Sequence, residues 1–183
     1  EVFLKTGEGR GNPQLVRQLV EKSEDAHQWL SSLGLVWTPQ SYQTLAGLTS
    51  RSFIPSLVRA GYDYIVTLNK AARMHGVTTL LNAEANLLYV TPQGAISGIR
   101  ARVNGVEKMF TAKAIVLATG GFGGNVAMRE HYDPRLDATF TTTADPYREG
   151  ADPATGDGIV LAQKLGADLV DMDCIQIIPF WGG

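Results

Sequence analysis

Ala114-Ile115-Val116-Leu117-Ala118 is an unbroken apolar run that opens directly into Thr119-Gly120-Gly121-Phe122-Gly123-Gly124. A half-solvated strand alternates apolar and polar residues, and this run does not. It predicts a strand covered on both faces, which is the situation of a parallel sheet with helices packed on either side. The carboxyl end of such a strand is where an α/β sheet places its ligand. Small residues there let a flat or charged group approach the backbone. The same glycines equally suit a tight turn that leaves room for packing, and the pattern alone does not choose between the two.

The rest of the chain alternates helix and strand signals. Asn12-Pro13 has the N-cap then N1-proline order of a helix start, Leu15, Leu19, Ala26, Leu30 and Leu33 follow at helical spacing, and Gly34 supplies the stop. A polar loop from Thr38 to Ser52 precedes a second helix from about Pro55 to His75, closed by Gly76, with Leu57, Gly61, Tyr64, Ile65, Leu68 and Ala72 on its inner side. The period then turns to that of strands over Val77 to Leu81, Ala85 to Val90, Ala95 to Val103 and Val106 to Lys113. Thr91-Pro92-Gln93-Gly94 and Asn104-Gly105 break the last three into hairpins, Asn-Gly suiting a type I′ turn because both central residues need positive φ. After a loop-rich stretch, a third helix is expected from Gly158 to about Leu165 with Gly166 as its cap. Short strands are expected over Ala167 to Met172 and Ile175 to Ile178. The fold class this implies is α/β with an antiparallel hairpin layer.

Composition removes several classes of function. The 183 residues carry 16 basic and 18 acidic side chains, net charge −2, interspersed along the chain, so neither nucleic acid nor an anionic membrane surface is an expected partner. No apolar run approaches the ~18 residues of a membrane span. Cys174 stands alone and reads as a small buried apolar residue, and His27, His75 and His131 lack metal-ligand spacing. No metal site is expected.

Three glycine-bearing segments compete as binding loops. Gly7-Glu8-Gly9-Arg10-Gly11 has neither a preceding strand nor the G-x-G-x-x-G spacing, and it reads as a turn. The second is Ala118-Thr119-Gly120, at the end of the apolar run. Thr155-Gly156-Asp157-Gly158 leads into a helix, whose free amides attract phosphate and where the Asp157 carboxylate can accept hydrogen bonds from sugar hydroxyls. Its competing role is structural, with Thr155 or Asp157 as a helix N-cap.

The order of motifs is more specific than any one of them. Gly9 to Val16, Asp25-Ala26-His27-Gln28-Trp29-Leu30, Asn82-Ala83-Glu84-Ala85, Ala118 to Phe122, Tyr132-Asp133-Pro134, Thr155 to Gly158 and Gly166-Ala167 together resemble the fumarate reductase and succinate dehydrogenase flavoprotein family, the soluble flavocytochrome c fumarate reductases in particular. The resemblance implies a partial, Rossmann-like FAD-binding domain over residues 1–183. The family's G-x-G-x-x-G unit is expected before Glu1, and its capping domain and proton-donating arginine after Gly183. It implies hydride transfer between flavin N5 and an unsaturated, carboxylate-type small-molecule substrate, with an electron-donor domain or subunit as partner. The compartment, cytoplasm or periplasm of a bacterial type, is left open.

Carried over position by position, Ala85 matches the residue whose backbone meets the adenine, and Ala118, Thr119 and Gly120 match the loop beside the dinucleotide. Asp157, within Thr155 to Gly158, matches an FAD-contacting aspartate. No catalytic residue falls within the chain. Fumarate-reducing relatives place a substrate-clamping histidine shortly after an Ile-Gln pair, whereas Ile175-Gln176-Ile177 is followed here by Ile178. With Phe180 and Trp181 adjacent, Ile178 makes an apolar substrate wall, so a 3-ketosteroid dehydrogenase-like enzyme and a non-catalytic α/β binding module stay as alternatives.

Without the upstream unit the pyrophosphate has no helix N-terminus to rest on, so the isolated 183-residue chain is expected to bind FAD weakly or not at all and to be inactive. Fluorescence titration with FAD checks this, and tight, flavin-quenching binding contradicts it.

Overall fold

The computed structural model describes residues 2–39, 53–55, 60–140, 142 and 153–177 of the chain. They belong to two compact units, Glu1–Thr79 and Leu80–Gly183.

The first unit is helical, with α1 (Val2–Thr6), α2 (Pro13–Ser32) and α3 (Ala60–Met74). Asn12 caps α2 as its side chain implies, Oδ1 accepting from the backbone N–H of Gln14 at 2.9 Å and of Leu15 at 3.4 Å. Pro13 follows where a missing N–H costs nothing. The helix closes with Gly34 N–H donating to Ser31 and Leu35 N–H donating to Leu30, a Schellman ending that needs the left-handed φ of 100° at Gly34. Val77 N–H to Ala72 and Ala167 N–H to Ala162 repeat that ending after α3 and in the second unit. The expected inner faces are only partly covered. Leu15, Leu19 and Ile65 are exposed, while Tyr64, Leu68 and Ala72 are half-buried; Leu57 lies outside the described residues. His27 is a packing histidine, its ring stacked on Trp37 at 4.5 Å and meeting Phe53 edge-on.

The second unit is built on three antiparallel strands, β1 (Ala83–Val90), β2 (Ile96–Val103) and β3 (Val106–Thr111), in that order across the sheet. Asn104 and Gly105 take φ of 49° and 82°, which is the type I′ geometry that matches the twist of the strands they join. Alternation decides the faces. Ala101 and Val103 are buried with Leu88, whereas Arg100 and Arg102 point the other way and pair with Glu107, at 3.2 and 3.3 Å. Asn86 joins that group through Arg100 Nε at 2.8 Å. Helix α5 (Asp157–Gln163) packs on β1 and buries Leu161, and α4 (Val126–Tyr132) precedes it.

Several expectations need correction. Residues 114–118 form no ladder among the described residues, and Val116 is 86% exposed. A strand exists only with a neighbour to bond, and the described residues supply none beside this run. Residues 77–81, 167–172 and 175–177 are likewise irregular. Helix α4 interrupts the stretch read as loop, and Cys174 is exposed rather than buried. Among the described residues no helix is long and apolar enough to cross a membrane.

The turn after α4 is tied by charge. Arg129 is buried, at 5% exposure, and donates to the carbonyls of Leu136, Asp137 and Phe140 at 3.0 to 3.2 Å. Asp133, the C-cap residue of α4, accepts from the Arg135 guanidinium at 2.8 Å, which holds its carboxyl below the ordinary 3.8. The stabilisation from this pair is therefore complete above pH 3.8 and is lost as pH falls through the lower folded value. Asp133→Asn should flatten the acid limb of a stability-versus-pH curve, measured by thermal unfolding from pH 5 downward. An unchanged acid limb contradicts the assignment.

Candidate cofactor site

Two glycine-bearing segments, residues 118–124 and 154–158, meet in the second unit. Gly156 N–H donates to Gly121 O at 3.1 Å, and Gly124 N–H donates to Ala154 O at 3.0 Å. The segments are thus joined by two backbone bonds. Beside those bonds the fit is too close for side chains. A Cβ at buried Gly158 would lie against Thr119 Oγ1 and 3.0 Å from Thr119 Cβ, and one at Gly156 would lie 2.7 Å from Met128 Sδ. Real Cβ contacts are not that short, so both positions require glycine or a shift of their surroundings. Gly156 also takes φ of 82°, left-handed and cheap only for glycine.

The other side of the junction is open. A Cβ added at Gly120 or Gly121 would meet nothing within 4 Å, and Gly120 has φ of 74°. Ala118, Thr119 and Gly120 are exposed, as are Thr155 and Asp157 across from them. Backbone with room above it at the end of an apolar run admits a flat group to close range. Thr119 and Gly158 are in direct contact, and Ala118, Gly120, Thr155 and Asp157 flank them in the same two segments. Ala85 stands apart, half-buried in β1 opposite Ala101, on the strand against which α5 packs. Ile178 lies outside the described residues, and Phe180 and Trp181 with it.

Neither Thr155 nor Asp157 caps α5. The N-cap position belongs to Gly156, which has no side chain to offer. Asp157 is the first helical residue, exposed, and its carboxylate forms no hydrogen bond or ion pair among the described residues. It is therefore available to hydroxyl donors from outside.

Asn125, which the sequence reading passed over, binds the two segments together. Its Oδ1 accepts from Met128 N–H at 2.9 Å as the N-cap of α4, while its Nδ2 donates to Thr155 O at 2.9 Å. An asparagine directly after a glycine pair and before Val-Ala-Met is a legible cap signal. Its second bond, thirty residues away, leaves no mark in local spacing.

Residues 2–180 match the family described as the FAD binding domain, and the chain belongs to that family. It is 36% identical to the urocanate reductase of Eggerthella lenta over 98% of its own length and 29% of that protein's. It is 34% identical to a probable fumarate reductase of Shewanella frigidimarina, with 100% and 30% covered. Among solved structures, the open conformation of a flavocytochrome c3 fumarate reductase superposes with a TM-score of 0.83 at 32% identity, over 94% of this chain and 30% of that one. The 3-ketosteroid-delta4-(5alpha)-dehydrogenase from Rhodococcus jostii RHA1 follows at 0.68 and 25%, over 84% and 37%. The chain thus spans about 30% of the length of these two relatives. Its fold is that of an α/β FAD-binding domain, and FAD is the cofactor. The open glycine backbone beside an uncommitted carboxylate fits such a group.

Gly158→Ala forces Thr119 and α5 apart, at about 1–3 kcal/mol for overpacking. The full-length parent carrying it should retain clearly less FAD after gel filtration. Gly61→Ala, in open space on α3, should retain the wild-type amount. Equal flavin content in both contradicts the tight junction.

Proposed function

We propose that this chain is the FAD-holding segment of a flavoprotein reductase that adds two electrons and two protons across an activated carbon–carbon double bond of a carboxylate-type small molecule. The observation that carries this reading is the junction itself, with open backbone at Gly120 and Gly121 in one segment and an exposed Asp157 in the segment bonded to it, in a chain whose relatives include proteins named fumarate reductase and urocanate reductase.

Each residue has a part in holding the cofactor. Ala118, Thr119 and Gly120 offer backbone without bulk along one side of the dinucleotide. Gly158 keeps Thr119 against α5, and Thr155 and Asp157 are assigned to the same cofactor, with the Asp157 carboxylate accepting from ribityl or ribose hydroxyls. Ala85 presents the backbone of β1 to the adenine. Bound FAD contributes hydride transfer at N5, the chemistry characteristic of flavins. The segment's own work is orientation, which converts a bimolecular encounter into a positioned one. The residues assigned in this segment bind and orient; none of them is assigned as general acid, substrate clamp or electron donor.

The likeness to a ketosteroid dehydrogenase, at a TM-score of 0.68, makes a steroid the alternative substrate to test. The full-length parent, reduced anaerobically with dithionite, should be reoxidised by fumarate, urocanate or a similar unsaturated carboxylate, followed by the return of flavin absorbance. Reduction of the oxidised flavin by a saturated 3-ketosteroid, with no reoxidation of the reduced flavin by any unsaturated carboxylate, would replace the carboxylate reading with the steroid one. A parent that purifies colourless and takes up no FAD would overturn both.

A further inference from the structure

We propose that Asn125 is a positioning residue for the cofactor, holding the Thr155-Gly156-Asp157-Gly158 segment in register with Thr119-Gly120-Gly121 through its side-chain amide. This inference rests on the proposed FAD site.

Asn125 uses both ends of its amide. Oδ1 accepts from Met128 N–H and starts α4, while Nδ2 donates to the carbonyl of Thr155, both at 2.9 Å. The backbone of the same residue is also committed, its N–H donating to Phe122 O and its carbonyl accepting from Arg129 N–H, each at 2.9 Å. One residue therefore fixes the end of the first glycine segment, the first turn of α4 and the middle of the second segment. The amide can satisfy both partners in one orientation only, because a flipped amide sets its NH2 against an N–H and its oxygen against a carbonyl.

The carbonyl it holds is well placed to matter. Thr155 O belongs to the peptide that leads into Gly156, where the chain takes φ of 82° and turns into α5. The orientation of that peptide sets the direction in which Asp157 leaves the turn. The backbone bonds from Gly156 to Gly121 and from Gly124 to Ala154 fix the separation of the segments, and the Asn125 bridge fixes the rotation of the peptide between them. Removing the donor frees that rotation while leaving every side chain proposed to meet FAD in place.

Few side chains can replace it. Aspartate caps a helix as well as asparagine does, and serine nearly so, yet aspartate has no donor and serine is too short to reach Thr155. The cap and the bridge can therefore be separated. Full-length parent carrying Asn125→Asp or Asn125→Ser should lose less apoprotein thermal stability than Asn125→Ala, because the helix cap is kept, while its FAD dissociation constant, measured by reconstitution, rises about threefold to tenfold, the effect of one neutral hydrogen bond. The visible circular dichroism of the remaining bound flavin should change with it. Asn125→Ala, which loses cap and bridge, should lose both stability and affinity. Wild-type affinity and flavin dichroism in both Asn125→Asp and Asn125→Ser overturn the proposal, as does a loss of FAD that follows apoprotein stability across all three variants. A wild-type parent that takes up no FAD fails the cofactor reading instead, so the two failures are distinguishable.

Discussion

Helix α5 packs as closely as it does on Thr119 because residue 158 has no side chain. Its backbone lies so close to Thr119 that a Cβ would fall onto the threonine hydroxyl, and this contact sets how the two glycine-bearing segments meet. Other features of the junction follow from it. Gly156 must turn left-handed to bring the chain into the helix, the 156-to-121 and 154-to-124 backbone bonds close on either side, and Asp157 leaves at the surface with its carboxylate uncommitted. Glycine thus has two opposite uses within a few residues. At 156 and 158 its missing Cβ is filled by a protein neighbour, whereas at 120 and 121 it leaves open space.

The surroundings serve to hold that junction still. The antiparallel hairpin layer gives α5 a rigid floor through β1 and Leu161. On the other side α4 gathers the loops: Asn125 reaches Thr155, Met128 fills the space over Gly156, Arg129 collects three carbonyls between residues 136 and 140, and Thr142 donates to Gly123 O at 2.7 Å. Backbone carbonyls that would otherwise need water are bonded by the side chains of Arg129 on α4, its N-cap Asn125, and Thr142. Leaving such groups unpaired would cost about 1–3 kcal/mol each where they are buried. Rigidity at a cofactor loop is useful because orientation is the contribution such a segment makes to catalysis.

Much of this was legible in the residues, and what was not has physical reasons. The three strands, their hairpin breaks, the bounds of α2 and its Asn12-Pro13 start were readable because each depends on neighbours within a few positions. The run at 114–118 has the composition of a covered strand, but a ladder requires a partner, and none stands beside it among the described residues. Helix α4 was overlooked because seven residues between glycines and a proline give too little periodicity to register. Asn125 and Thr155 meet across thirty positions, and the contact of Gly158 with Thr119 spans more still. Local spacing contains neither. The glycine segments themselves stood out, and the order of motifs along the chain pointed to a flavoprotein before any geometry was available.

The central physical claim is that residues 117–124 and 153–160 form one surface that closes on a single cofactor. Hydrogen–deuterium exchange on the full-length parent, compared with and without FAD, tests it directly. Peptides covering both segments should gain protection together on FAD binding, while the exposed Asn104-Gly105 turn should stay unchanged. Protection confined to one segment, or absent from both while FAD is demonstrably bound, would contradict the account.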